Sequence, residues 1–141
     1  DKDFLEQIVK KVLRGENSKE TNLSIAFVGE RRMRKLNKKY RKKNKATDVL
    51  SFGEVSSFQM PVRRACLSDG QVDSIMGLGE VVICLRTVKK NAKRQNLTFR
   101  EEIARVLIHG ILHLLGYDHE KSQKAAKKME KKECYYLSEA L

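Results

Sequence analysis

The sequence predicts an α+β fold, with a small mixed β-sheet packed by helices in one domain spanning residues 1–141. Three observations point there. Short apolar runs with strand character alternate with stretches of helical periodicity, and the chain ends in helices. The length of 141 residues suits one domain, and no internal repeat or Pro/Gly-rich linker divides it. Hydrophobic residues make up 40% of the chain, enough for a core, while a single Pro and eight Gly exclude collagen-like and proline-rich architectures.

The elements follow in order. Leu5, Ile8, Val9, Val12 and Leu13 recur on one face of a helix that Gly15 is expected to close. Asn22 to Gly29 (NLSIAFVG) has strand character. A basic helix is predicted from about Glu30 to Arg41, with Met33, Leu36 and Tyr40 as its apolar stripe. Thr47 to Phe52 is a second strand, and Gly53 to Gly79 is a long loop that has room for a hairpin. Leu78 to Leu85 (LGEVVICL) is apolar apart from Glu80, as expected of a strand buried on both faces. A short helix is predicted near Thr87 to Gln95. Thr98 to Leu115 is the clearest helix, opening on a T-x-x-E capping box (Thr98, Glu101) and ending before Gly116 in a left-handed cap position. The Lys/Glu-rich stretch from about Glu120 to Leu141 is helical by propensity.

Charge is concentrated. Lys and Arg number 30 against 18 Asp and Glu, a formal net charge of +12. The segment Arg31 to Lys45 (RRMRKLNKKYRKKNK) holds ten of those cations and no acid, which leaves about +2 for the rest of the chain. A solvated helix face usually mixes both signs; this one is pure and carries a stripe that docks it on a core. A polyanion is the expected partner, and nucleic acid fits it best, because neutralising phosphates releases counterions. Arg31, Arg32, Arg34, Lys35, Lys38, Lys39, Lys42, Lys43 and Lys45 are the candidate contacts. The stripe is too thin for a membrane-surface anchor.

The longest uncharged run, Val106 to Tyr117, is 12 residues, whereas a membrane span needs about 20. No N-terminal run has the form of a signal peptide, although the chain begins at Asp1 rather than Met and further residues before it are compatible with that. The three cysteines, Cys66, Cys84 and Cys134, are odd in number and form no C-x-x-C, so a reducing cytoplasm is the expected compartment.

All three histidines fall within eleven residues, as H-x-x-x-H-x-x-G-x-x-H: His109, His113 and His119. Successive helical residues advance 100°, so His109 and His113 project about 40° apart on one face. Gly116 then ends the helix, and His119 returns to the same point. Three imidazoles on one ion leave a fourth position open, the arrangement of catalytic rather than structural zinc. One Zn²⁺ is the default; nickel, copper and iron also accept imidazole. Metzincin proteases share the spacing, as H-E-x-x-H-x-x-G-x-x-H, but use the Glu as general base. Gly110 stands there in this chain and cannot move a proton.

HGILHLLGYDH (His109 to His119) resembles the signature of the YbeY endoribonuclease family. LNKKYRKKNKATDVLSF (Leu36 to Phe52) and LGEVVICL (Leu78 to Leu85) resemble two further blocks of that family, in the same order. Glu80 replaces a commoner Asp, and Gly53 replaces a commoner Pro. The resemblance implies a metal-dependent, single-strand-specific endoribonuclease of the bacterial cytoplasm. It implies action in small-subunit (16S) ribosomal RNA 3′-end maturation and ribosome quality control, with the small ribosomal subunit and ribosome-associated proteins as partners. It carries the metal ligands onto His109, His113 and His119, and a functional arginine onto Arg41. Arg41 would stabilise charge on the scissile phosphate; Asp118 is either a base or orienting group or, preferably, the cap of the final helix. Glu80 is a candidate carboxylate partner for a ligand ring, and Ser51 and Tyr117 are candidate neighbours. Two other functions fit the motif: a zinc metallohydrolase or peptidase on a metzincin-like scaffold, and a non-catalytic RNA-binding module with a structural metal.

Overall fold

A computed structural model describes residues 1–19, 23–53 and 78–141. Its elements run α1 (Lys2–Gly15), β1 (Leu23–Phe27), α2 (Glu30–Arg41), β2 (Val49–Gly53), β3 (Gly79–Ile83), α3 (Leu85–Arg94), α4 (Phe99–Leu114) and α5 (Gln123–Ala140). The expected α+β class is borne out. The predicted loop at 53–78, with its hairpin, lies almost wholly outside the described residues.

The described strands form a mixed sheet ordered β1-β3-β2. β1 pairs parallel to β3, with Leu23 opposite Gly79 and Phe27 opposite Ile83. β2 pairs antiparallel to β3, with Val49 opposite Ile83 and Gly53 opposite Gly79. The apolar run of β3 is explained by its central position: Val81, Val82 and Ile83 are fully buried. Alternation sends Val81 and Ile83 to a core built with α1, α4 and α5. It sends Val82 and Cys84 to a second core, where Met33 and Leu36 of α2 meet Leu50 and Phe52 of β2. The sheet therefore separates α2 from α4. The thin stripe of α2 is the seam of that docking, and Tyr40 closes it edge-on against Phe52 at 5.2 Å.

Local chemistry sets the helix ends. The α4 capping box is formed: Thr98 Oγ1 accepts from Glu101 N–H at 3.2 Å, and the Glu101 carboxylate accepts from Thr98 N–H at 2.7 Å. At the other end Gly116, at φ +99°, allows Tyr117 N–H to reach the Leu112 carbonyl at 3.0 Å and its own N–H to reach that of His113 at 3.1 Å. Helix α1 ends at Gly15 as expected, with Asn17 taking the left-handed conformation beyond it (φ +51°). Glycine is needed at 15 for space: a Cβ there would overlap the Tyr136 ring of α5. One boundary differs from expectation. Helix α3 begins at Leu85, two residues before the expected start.

One partly buried carboxylate gathers three elements. Glu16, 11% exposed, accepts from Tyr117 Oη at 2.7 Å and from Tyr136 Oη at 2.6 Å, and pairs with Lys132 Nζ at 2.9 Å. Burial opposes its charge, but the bonds from Tyr117, Tyr136 and Lys132 outweigh burial and hold its carboxyl below the usual carboxylate range. Because the folded pKa is the lower one, this stabilisation is present above the unfolded value of about 4.3 and is lost as pH falls through the folded value. Glu16→Gln is expected to cost about 1–3 kcal/mol at pH 7. In urea titrations the gap between variant and wild type should narrow below about pH 4.3; a gap constant with pH would contradict the assignment.

Candidate metal centre

Helix α4 presents His109 and His113, both half-buried, and the turn after it presents exposed His119. The three ring centroids lie 4.6, 5.3 and 5.0 Å apart, and one ligand nitrogen from each falls within 4.8 Å of the others. The sequence motif is thus a cluster in space.

The turn has its own support. Asp118 accepts from Glu120 N–H at 2.9 Å, so it shapes the segment carrying His119. It does not cap the final helix as expected: Ser122 does, accepting from Ala125 N–H at 3.1 Å. Tyr117 turns its hydroxyl away from the rings, to Glu16. Ser51 donates to the Gly110 carbonyl at 2.9 Å, pinning β2 to α4 between the two helical ligands.

Gly110 is buried against the sheet, where a Cβ would stand 2.9 Å from Val81 Cγ1 and 3.2 Å from Ser51 Oγ. The position that holds the general base in metzincins has room here for no side chain.

A carboxylate touching a ligand ring, the role for which Glu80 was the candidate, is found at Glu133 of α5. Glu133 Oε1 accepts from His109 Nδ1, while Glu80, on β3, accepts from Ser24 Oγ at 3.4 Å. With its proton on Nδ1, His109 presents a lone pair at Nε2. His113 Nε2 lies 3.1 Å from that atom. Two nitrogens bound to one tetrahedral zinc at about 2.0–2.1 Å stand ~3.3 Å apart, so this spacing fits a shared ion. Burial, with added effects of His109, His119 and Arg41 that outweigh Asp118, holds the His113 imidazole below its ordinary pKa and keeps it neutral. Three imidazoles, one of them anchored through its second nitrogen by a carboxylate, fit a transition metal.

Arg41, the last residue of α2, reaches this end of the molecule. Its Nη2 lies 3.4 Å from Glu120 Oε1, next to His119, and its charge is among those felt at His113. The side chain is 44% exposed, so it can turn toward a ligand. The other nine candidate cations, Arg31, Arg32, Arg34, Lys35, Lys38 and Lys39 on α2 and Lys42, Lys43 and Lys45 after it, line the outer surface and are all exposed.

Fold and cluster together define a small α+β protein whose three-histidine helix–turn motif suits a catalytic metal ion. The comparisons with known proteins are consistent with that class. The family described as Endoribonuclease YbeY matches residues 1–140, and the chain belongs to that family. A protein of Thermodesulfovibrio yellowstonii named Endoribonuclease YbeY is 43% identical over 116 residues, which cover 82% of this chain and 65% of that protein. One of the same name from Sulfurihydrogenibium is 41% identical over 91% of this chain and 76% of its own length. A solution structure of TM1509 from Thermotoga maritima superposes with a TM-score of 0.61 at 30% identity, covering 96% of this chain and 78% of that one.

Loss of the carboxylate on His109 should loosen the ion without unfolding the chain. Glu133→Ala is expected to weaken zinc affinity by about 10–100-fold in a chelator competition. Wild-type affinity in that variant would remove Glu133 from the site.

Proposed function

We propose that this chain is a metal-dependent endoribonuclease that cuts single-stranded RNA, with residues 1–141 acting as one catalytic domain. The observation that carries the reading is the convergence of three imidazoles with Arg41 at their rim. His109, His113 and His119 would hold one Zn²⁺ or a similar divalent transition metal. Such an ion supplies Lewis acidity and a bound water with a pKa near ~7.

The chain's own residues do the rest. Glu133 keeps the His109 proton on Nδ1 and fixes the ring. Ser51 and Gly110 hold α4 at its depth against the sheet. Arg41 exchanges Glu120 for a phosphate, its planar fork taking two oxygens and stabilising charge on phosphorus. Asp118 holds the turn that carries His119. The attacking oxygen comes from water or from the RNA's own 2′-hydroxyl. The exposed cations of 31–45 track the strand.

Within the cell we assign this activity to 3′-end maturation of small-subunit ribosomal RNA and to ribosome quality control, in the cytoplasm. The small ribosomal subunit and ribosome-associated proteins would be the partners. Family membership and the one-signed basic surface support that assignment, and among the described residues no helix is long and apolar enough to cross a membrane. The peptidase reading lacks a base at Gly110. The structural-metal reading calls for a closed ligand set, whereas His119 is exposed.

Arg41→Ala is expected to keep its metal and cut single-stranded RNA about 10²–10³-fold more slowly. Metal loss in that variant, or cleavage at the wild-type rate, would refute the role given to Arg41.

A further inference from the structure

Helix α3 is a second cationic helix. Its ten residues carry Arg86, Lys89, Lys90, Lys93 and Arg94 and no acid, and all five cations are exposed. Whole-chain arithmetic hides them, because acids elsewhere cancel their charge.

This surface is joined to that of α2. Glu30, the first residue of α2, pairs with Lys90 and, at 3.4 Å, with Arg86. One carboxylate thus fixes two cations and sets the start of α2 against α3. A groove of about 560 Å³ lies there, with Glu30 and Ala46 on one side and Thr87, Asn91, Lys93 and Arg94 on the other. Its size falls in the range that takes a small organic ligand, about 300–1,000 Å³.

The chain after α2 connects the groove to Arg41. Asn37 Nδ2 donates to the Lys45 carbonyl at 2.8 Å, and Arg34 Nε donates to Asn44 Oδ1 at 2.9 Å. Residues 42–46 therefore double back along α2 and bring Ala46 to the groove wall. Their exposed cations, Lys42, Lys43 and Lys45, mark a path between the two ends of the helix. Glu30 and Arg41 are eleven residues apart, which is ~16 Å along a helix.

We propose that this groove is a second seat for the RNA strand, holding a nucleotide several residues away from the one at Arg41. Lys93 and Arg94 take the two phosphates that flank it. Asn91 gives its amide N–H to Asp48 at 3.4 Å and so offers its carbonyl oxygen to a base N–H or a 2′-hydroxyl. The inference rests on the RNA-cleaving reading above. Continuity with Arg41 favours a nucleic-acid strand over an acidic protein.

The test uses fluorescent single-stranded oligoribonucleotides of about 4 and about 16 residues, which bracket common single-strand site sizes. Lys93→Ala/Arg94→Ala should bind the long strand ~20-fold more weakly at 0.1 M salt, with the log–log salt slope reduced by about 1.4 for two lost contacts. Affinity for the short strand should be unchanged. Lys2→Ala/Lys10→Ala, an equal loss of charge on exposed α1, should leave both affinities as in wild type. Circular dichroism confirms folding of each variant. Wild-type affinity and slope in the α3 variant, or an equal loss in the α1 variant, would overturn the groove while wild-type cleavage kept the RNA reading intact. A wild-type protein that neither bound nor cut single-stranded RNA would overturn both.

Discussion

The site depends on the seating of α4 through Gly110. A helix can approach a sheet this closely only where it lacks a side chain, and the hydrogen bond from Ser51 to the Gly110 carbonyl fixes its position lengthwise. The contact also fixes rotation. With Gly110 facing the sheet, His109 lies ~100° and His113 ~60° round the helix from it. Both rings then leave the flank of α4, neither sunk in the core nor pointing straight to water. Larger residues at such a site force backbone shifts that typically cost ~1–3 kcal/mol, and here a shift would also move two ligands.

The remaining parts hold what that contact aims. Gly116 reverses the chain within one residue, and Asp118 braces the segment that returns His119. Helix α5 supplies Glu133 to His109 and is itself tied down, since Tyr136 and Lys132 share Glu16 with Tyr117 of the turn. One carboxylate at the end of α1 therefore steadies both the turn bearing the third ligand and the helix that orients the first. Charge is arranged on the opposite plan. Across the sheet from α4, α2 turns its cations outward and delivers only Arg41 to the rim of the cluster.

Much of this was legible because it is local. The capping box, the histidine spacing and the turn glycine each specify geometry within a few residues, and the structure reproduces all three. The bounds of α2 were readable from Met33, Leu36 and Tyr40 against a uniform basic background. What escaped depends on long-range packing. Glu133 looked like one more solvated acid in a Lys/Glu-rich helix. Its signal was its phase: four residues after Met129 and three before Tyr136, both buried, it sits on the inner stripe of α5. Gly15 was legible as a helix stop, but not its packing role, because the Tyr136 ring it makes room for is more than a hundred residues away. Asp118 and Ser122 are both good caps by residue type, and only the turn geometry separates them. Arg41 is chemically identical to its neighbours, so family resemblance alone singled it out before the fold placed it beside Glu120.

The central claim is that the three imidazoles grip a single ion. Elemental analysis of purified wild type beside His113→Ala, with folding checked by circular dichroism, tests it most directly. The account requires about one transition-metal ion per wild-type chain and far less in the variant. Equal metal content in the two folded proteins would contradict it.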